Sequence, residues 1–159
     1  MDLYVIRHAI AEDRSRDGTD ESRELTEDGI RKLRRVVRGL RVLDLSFDRI
    51  VTSPWERARH TARLLAPISD GSMIQTELLT RSPSAELLAL IAEHDHTTAV
   101  VGHEPWLGEL IAWLAFGDTR HGEAIELKKG GVAWLEGSAV PGGMRLRALI
   151  PPRLSRAVR

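Results

Sequence analysis

Arg7-His8 follows directly on the apolar run Leu3-Tyr4-Val5-Ile6, near the start of a chain of 159 residues. An imidazole can act as nucleophile, proton carrier or metal ligand, and a guanidinium beside it favours an anion. Two further places repeat this arrangement. Ser53-Pro54-Trp55-Glu56-Arg57 follows the run ending at Val51, and Gly102-His103-Glu104-Pro105 follows Thr98-Ala99-Val100-Val101. If each run is a strand, all three sets lie beyond strand carboxyl ends, where open α/β sheets bind their ligands. A helix starting at Ser53 would add amide donors and the positive end of its dipole. Two guanidiniums, two imidazoles and a helix N-terminus suit a phosphoryl group, whose oxygens arginine grips bidentately. A sulfate or carboxylate would leave the two histidines unexplained.

The elements that must position these residues are legible as periodicities. Leu3 to Ile6, Phe47 to Val51 and Thr98 to Val101 are short β-branched or apolar runs and predict buried strands. Met73 to Leu79 predicts an edge-like strand. Thr26 followed by Glu27 and Asp28 is a helix start, with Ile30, Leu33, Val36, Val37 and Leu40 at helical spacing. Ser53 to Glu56 matches a capping box with proline at the first helical position, and Trp55, Ala58, Ala62 and Leu65 form one apolar face. A helix begins after Pro83, and another carries Leu107, Leu110, Ile111 and Leu114. Ala124 to Leu127, Val132 to Leu135 and Met144 to Ile150 predict three strands between Gly-rich turns. Strands alternating with helices imply a three-layer α/β/α sandwich around a mostly parallel sheet, and the late strands add an antiparallel member. Residues 1–159 form one domain on this reading, with 151–159 a loosely held basic tail. Ala9 to Leu25 is polar and aperiodic, and a loop of that length is functional or mobile.

Composition narrows the function. Twenty-three basic residues balance twenty-three acidic ones, so no global field draws in nucleic acid. Only Lys32, Lys128 and Lys129 are lysines, so an arginine is informative by its position and not by its mere presence. The chain has no cysteine, hence no disulfide or thiolate metal site, as a reducing cytoplasm permits. The first apolar run is too short for a signal peptide or a membrane span, and a cytoplasmic protein without membrane or nucleic-acid partners is expected. His94 and His96 precede the Thr98 strand, at the wrong edge of the sheet and with no third ligand, so no metal or cofactor is expected. His121 lies in a charged loop, where solvent exposure is the simpler account. Arg31, Lys32, Arg34, Arg35, Arg38 and Arg41 read as a solvated helix face. Trp106 and Trp113 read as core or its margin.

Arg7-His8-Ala9, Thr52 to Ala58 and Val101 to Pro105, with Leu25 to Gly29, resemble in order and spacing the signature segments of the histidine phosphatase superfamily. The likeness is to the short bacterial phosphohistidine phosphatases of the SixA type and spans nearly the whole chain. The resemblance implies a phosphoglycerate mutase-like fold, His8 as the nucleophile that becomes phosphohistidine, and Arg7 and Arg57 as holders of the phosphoryl oxygens. It also implies that His103 steadies the transition state from the opposite side, with Ser53 a further substrate contact. Positioning and electrostatics then suffice without a metal. His8 must attack as the neutral ring, which requires one nitrogen to be held as a donor, for instance to a backbone carbonyl.

Two departures from the family pattern matter. Ala9 stands where glycine is usual, and His60 where glutamine is common. Glu77 is the obvious candidate proton donor, although aligning Leu79-Thr80 with the family segment puts Leu78 at that place, and a one-residue offset in a strand reverses the side chain. A site without that acid favours a leaving group that needs no proton. The expected substrate is therefore phosphohistidine on a protein, such as a phosphotransfer domain, with inorganic phosphate as product. The alternatives are a small-molecule phosphomonoesterase using Glu77 or a carboxylate of the early loop, and a non-catalytic phosphate-binding module.

Overall fold

The computed structural model describes residues 1–158. Six strands form one sheet in the order β3-β2-β4-β1-β5-β6. β1 (Asp2–Arg7), β2 (Phe47–Thr52), β3 (Ser69–Gln75) and β4 (Thr98–Gly102) are parallel, while β5 (Val132–Gly137) is antiparallel to both its neighbours, β1 and β6 (Met144–Ile150). β3 takes the edge, as expected, but occupies Ser69–Gln75 and not Met73 to Leu79, because Glu77–Leu79 winds into a single helical turn capped by the Thr76 side chain. Side chains alternate across the sheet: Leu3 and Val5 enter one core with α3 (Ala85–Ala92) and α4 (Trp106–Phe116). Ile6 enters the other, with α1 (Glu27–Val42) and α2 (Glu56–Leu64). Each face of the sheet is thus covered, giving three layers of an α/β fold.

Register decides where the chemistry gathers. Arg7 pairs with Gly102, and Ile6 and Thr52 both pair with Val101, so β1, β2 and β4 end at one level. The next amide of each chain still joins the ladder: His8 N donates to the Gly102 carbonyl (3.1 Å) and Ser53 N to that of Val101 (3.0 Å).

Three further sequence expectations need correction. Ala124 to Leu127 is not a strand, because the Leu127 amide donates to Glu104 Oε1 (3.1 Å) and its carbonyl accepts from Arg7 NH1 (2.8 Å). With both backbone groups held by side chains, no ladder can form. The segment after Pro151 is not loose: Pro152–Ser155 forms a short helix, α5, on α1, and Ser155 is buried. Gly39 allows this approach, since a Cβ there would lie 1.7 Å from the Ser155 carbonyl oxygen. The capping box at Ser53 does not form either. α2 starts at Glu56 with Trp55 as its N-cap and no side-chain cap, and Ser53 has other partners.

One buried cation was not singled out from the sequence. Arg49 of β2 is 2% exposed and donates to the Leu90 and Ile91 carbonyls (3.0 and 2.9 Å) at the end of α3. A cation there answers the negative end of the helix.

Candidate active site

His8, Arg57 and His103 converge at the common edge and are almost wholly buried, at 4%, 4% and 2% exposure. The His8 and His103 rings lie 5.2 Å apart, centroid to centroid. His8 Nδ1 is 2.7 Å from the Ala9 carbonyl oxygen. A carbonyl only accepts, so Nδ1 carries the proton and Nε2 presents a lone pair. Arg57 Nε donates to that same Nε2 (3.3 Å), which places a cation beside the atom able to attack.

Burial pushes the His8 imidazole down to about 3, the charges of Arg57, Arg7 and Lys129 add to this, and the Ala9 hydrogen bond opposes it. His103 is likewise pushed down to about 3, first by burial and then by His8 and Arg57. Both rings are neutral near pH 7. Two buried nitrogens at this edge, Arg7 Nε and His103 Nδ1, have no hydrogen-bond partner among the described residues. Of the two, Arg7 Nε is a donor that an incoming anion would satisfy.

The surroundings fix these groups in place. Arg7 is anchored through NH1 to Leu127, and Glu104, the residue after His103, takes the amides of Leu127 and Gly108 with its two oxygens (3.1 and 2.9 Å). The Gly130 amide donates to both the Arg7 and His8 carbonyls at 3.1 Å, from a turn whose φ of 76° suits glycine. Thr61, one turn past Arg57, accepts from Ala9 N (3.0 Å) and donates to the Arg57 carbonyl (2.7 Å). Ala9 itself does not have a positive φ, so alanine causes no strain where glycine is usual. Ser53 Oγ lies 2.8 Å from His103 Nε2 and accepts from Trp55 N (3.2 Å). It therefore contacts His103.

The early loop is fastened over the site. Asp20 accepts from both terminal nitrogens of Arg57, through its carbonyl oxygen (2.6 Å) and through Oδ2 (3.0 Å). Arg23 grips the other Asp20 oxygen (2.8 Å), and the Glu56 amide donates to the Glu21 carbonyl (2.8 Å). That amide of α2 is consequently spent on the loop and, contrary to the sequence expectation, is not offered to an anion. Against the burial that would raise it, Arg57 and Arg23 hold the Asp20 carboxyl below the usual carboxylate range. Asp20 is an anion here and not an acid. Trp55 packs between the Arg57 guanidinium (4.8 Å) and His103 (ring centroids 4.7 Å), and Trp106 meets Trp55 edge-on at 5.9 Å.

Not every sequence candidate comes to this place. Glu77 is exposed in a single helical turn after β3, and its carboxylate touches only Thr80 (3.4 Å) among the hydrogen-bonding partners described. His60 is half-buried one turn beyond Arg57, made less basic by burial and by Arg63. His94 and His96 are exposed before β4, at the opposite edge. Among the described residues no group of three histidine or acidic side chains is placed to hold a metal ion, and no helix is long and apolar enough to cross a membrane. Asp20, Thr61, Glu104 and Lys129 were missed from the sequence. Only Glu104 carried a signal, as the neighbour of His103.

Residues 3–81 match the family model of the histidine phosphatase superfamily, branch 1. An uncharacterised protein of a Picosynechococcus species is 39% identical over 145 residues, covering 87% of each chain. The protein histidine phosphatase SixA, solved with tungstate, superposes with a TM-score of 0.80 over 96% of this chain and 98% of its own, at 23% identity. A candidate phosphohistidine phosphatase SixA of Nakamurella multipartitia is 25% identical, with a TM-score of 0.70 over 93% and 94% of the two chains. This chain belongs to the histidine phosphatase superfamily. A phosphoserine phosphatase of Entamoeba histolytica shares the same superfamily fold, with a TM-score of 0.68 at 18% identity over 94% and 96% of the chains. Within the superfamily, then, fold alone does not choose a substrate.

Proposed function

We propose that this chain hydrolyses phosphohistidine on a partner protein through a covalent phosphohistidine on His8. The observation that carries the reading is the His8 ring: Nδ1–H is held by the Ala9 carbonyl, so the Nε2 lone pair faces a site flanked by Arg57 Nε, Arg7 and His103. In the first step Nε2 forms a bond to phosphorus while the phosphorus–nitrogen bond of the substrate breaks. The departing imidazole keeps the proton on its other nitrogen and leaves neutral. Water then attacks the phosphorylated His8, inorganic phosphate departs, and His8 returns with Nδ1–H still on Ala9. Arg7, Arg57 and His103 hold the phosphoryl oxygens as charge is redistributed among them.

Substrate choice follows from the missing acid. An alkoxide needs a proton as it leaves, and the carboxylates at hand do not supply one. Asp20 is held ionised, and Glu77 is engaged with Thr80 at the surface. Transfer from one imidazole to another is nearly balanced in energy and needs no acid, which favours a phosphohistidine substrate over a serine or sugar phosphate. The SixA structures, similar in fold and named for that activity, support the same direction.

The test offers the purified protein a histidine-phosphorylated phosphotransfer domain, p-nitrophenyl phosphate and sugar phosphates, with EDTA throughout. Turnover confined to, or far faster with, the first is expected. Preference for sugar phosphates would overturn the substrate assignment and leave a small-molecule phosphatase. Tight tungstate or phosphate binding without turnover of any substrate would make the chain a phosphate-binding module.

A further inference from the structure

α1 carries six basic residues against two acidic ones, Glu27 and Asp28, in a chain whose charges cancel overall. A preference for arginine over lysine changes the type of cation and not this local excess. On a convex helix such a face would simply be solvated. The structure shows instead that Arg31, Arg34, Arg38 and Arg41 of α1 and Arg63 of α2 line one groove of about 850 Å³. Its floor is apolar, made by Val37, Leu64, Ala66 and Pro67. At one end Arg31 pairs with Asp28 (2.5 Å), and Arg63 pairs with Glu56 (2.7 Å). Arg34, Arg38 and Arg41 have no acidic partner among the described residues.

We propose that this groove docks an acidic amphipathic helix of a protein partner. The charge calls for carboxylates, and the planar fork of arginine grips them bidentately. Arg31 to Arg41 spans about 15 Å of helix, matching acids placed at every turn over roughly three turns of a partner. The floor decides between kinds of polyanion. A helix with an apolar stripe between its acids covers Leu64 and Pro67 while its carboxylates meet the arginines. A nucleic acid engages the cations through phosphates and leaves that floor wet. The groove runs from the first turns of α1 toward Ala66 and Pro67, which precede β3 at the edge opposite His8. An occupant therefore leaves the site open, and docking is independent of whether His8 is catalytic.

The test is fluorescence anisotropy of the full chain with a labelled synthetic helix of about five turns, carrying a leucine stripe flanked by glutamates. Binding that weakens as salt rises is expected. Arg34→Glu/Arg38→Glu/Arg41→Glu should weaken it at least about tenfold, since three attractive exposed pairs become repulsive. That variant should keep the thermal midpoint and the turnover of p-nitrophenyl phosphate. Arg81→Glu/Arg120→Glu/Arg145→Glu, matched in net charge but placed elsewhere, should bind like the parent. Equal binding of a scrambled peptide, tighter binding of an oligonucleotide, equal loss in the charge-matched control or no binding at all would each sink the proposal. Amide chemical-shift mapping on the unmutated chain gives a second readout. Shifts confined to residues 31–41 and 63–67 support the groove, and shifts centred elsewhere overturn it.

Discussion

The two arginine-rich regions of this molecule use the same side chain in opposite ways. At the strand edge, Arg57 is almost wholly buried, and its nitrogens already have targets: Asp20 takes two and His8 the third. Along the α1–α2 groove, Arg34, Arg38 and Arg41 are exposed and without acidic partners among the described residues. Geometry is fixed in the first region and only charge is supplied in the second. Preorganisation is what a reaction needs, because donors already in place need no rearrangement as charge moves. A docking face can let its side chains settle when the partner arrives, at some cost in entropy.

That contrast is most easily broken at the nucleophile. His8→Ala should lower turnover at least about a thousandfold with little loss of stability, since the ring is attached chiefly through Nδ1. Full activity in that variant would refute the mechanism. Arg57→Lys comes next, with a loss of about a hundredfold or more although the charge is kept, because an ammonium cannot face Asp20 and the phosphoryl group at once. The same change at Arg38 should leave turnover alone. Asp20→Asn should cost about tenfold in kcat with a smaller change in KM, by loosening Arg57 without removing it. A rise in kcat would show that Asp20 obstructs the site and does not align it.

A separate effect is on stability. His8 and His103 have folded values near 3 against 6.5 unfolded, so the unfolded chain binds more protons between those limits. Stability should therefore fall as pH drops from about 6.5 toward 3, by up to ~1.4 kcal/mol per pH unit for each ring. Urea titrations at pH 7, 5 and 4 would measure it, and His103→Gln should flatten the slope.

How much of this was legible in the sequence depended on the range of the contacts. β1, β2 and β4 announce themselves as apolar runs, and the residues just beyond them had to meet once the strands were parallel. What the runs could not reveal were pairings set by distant side chains. Leu127 looks β-forming but is claimed by Glu104 and Arg7, while the polar stretch around Asp20 has no periodicity to declare that it closes on Arg57. The basic stretch of α1 was visible as a composition, yet its concavity depends on where α2 lies. The tail gave no hint of α5, because its fit rests on the absence of a side chain at Gly39.

The hydrogen bond from His8 to Ala9 carries one last consequence, for isomer identity. A ring whose Nδ1 is tied to a neighbouring carbonyl can be modified only at Nε2. On the proposed mechanism the intermediate is then a single regioisomer, the τ-phosphohistidine, whatever isomer a donor presents, so a short backbone contact would make the covalent mark on His8 chemically uniform.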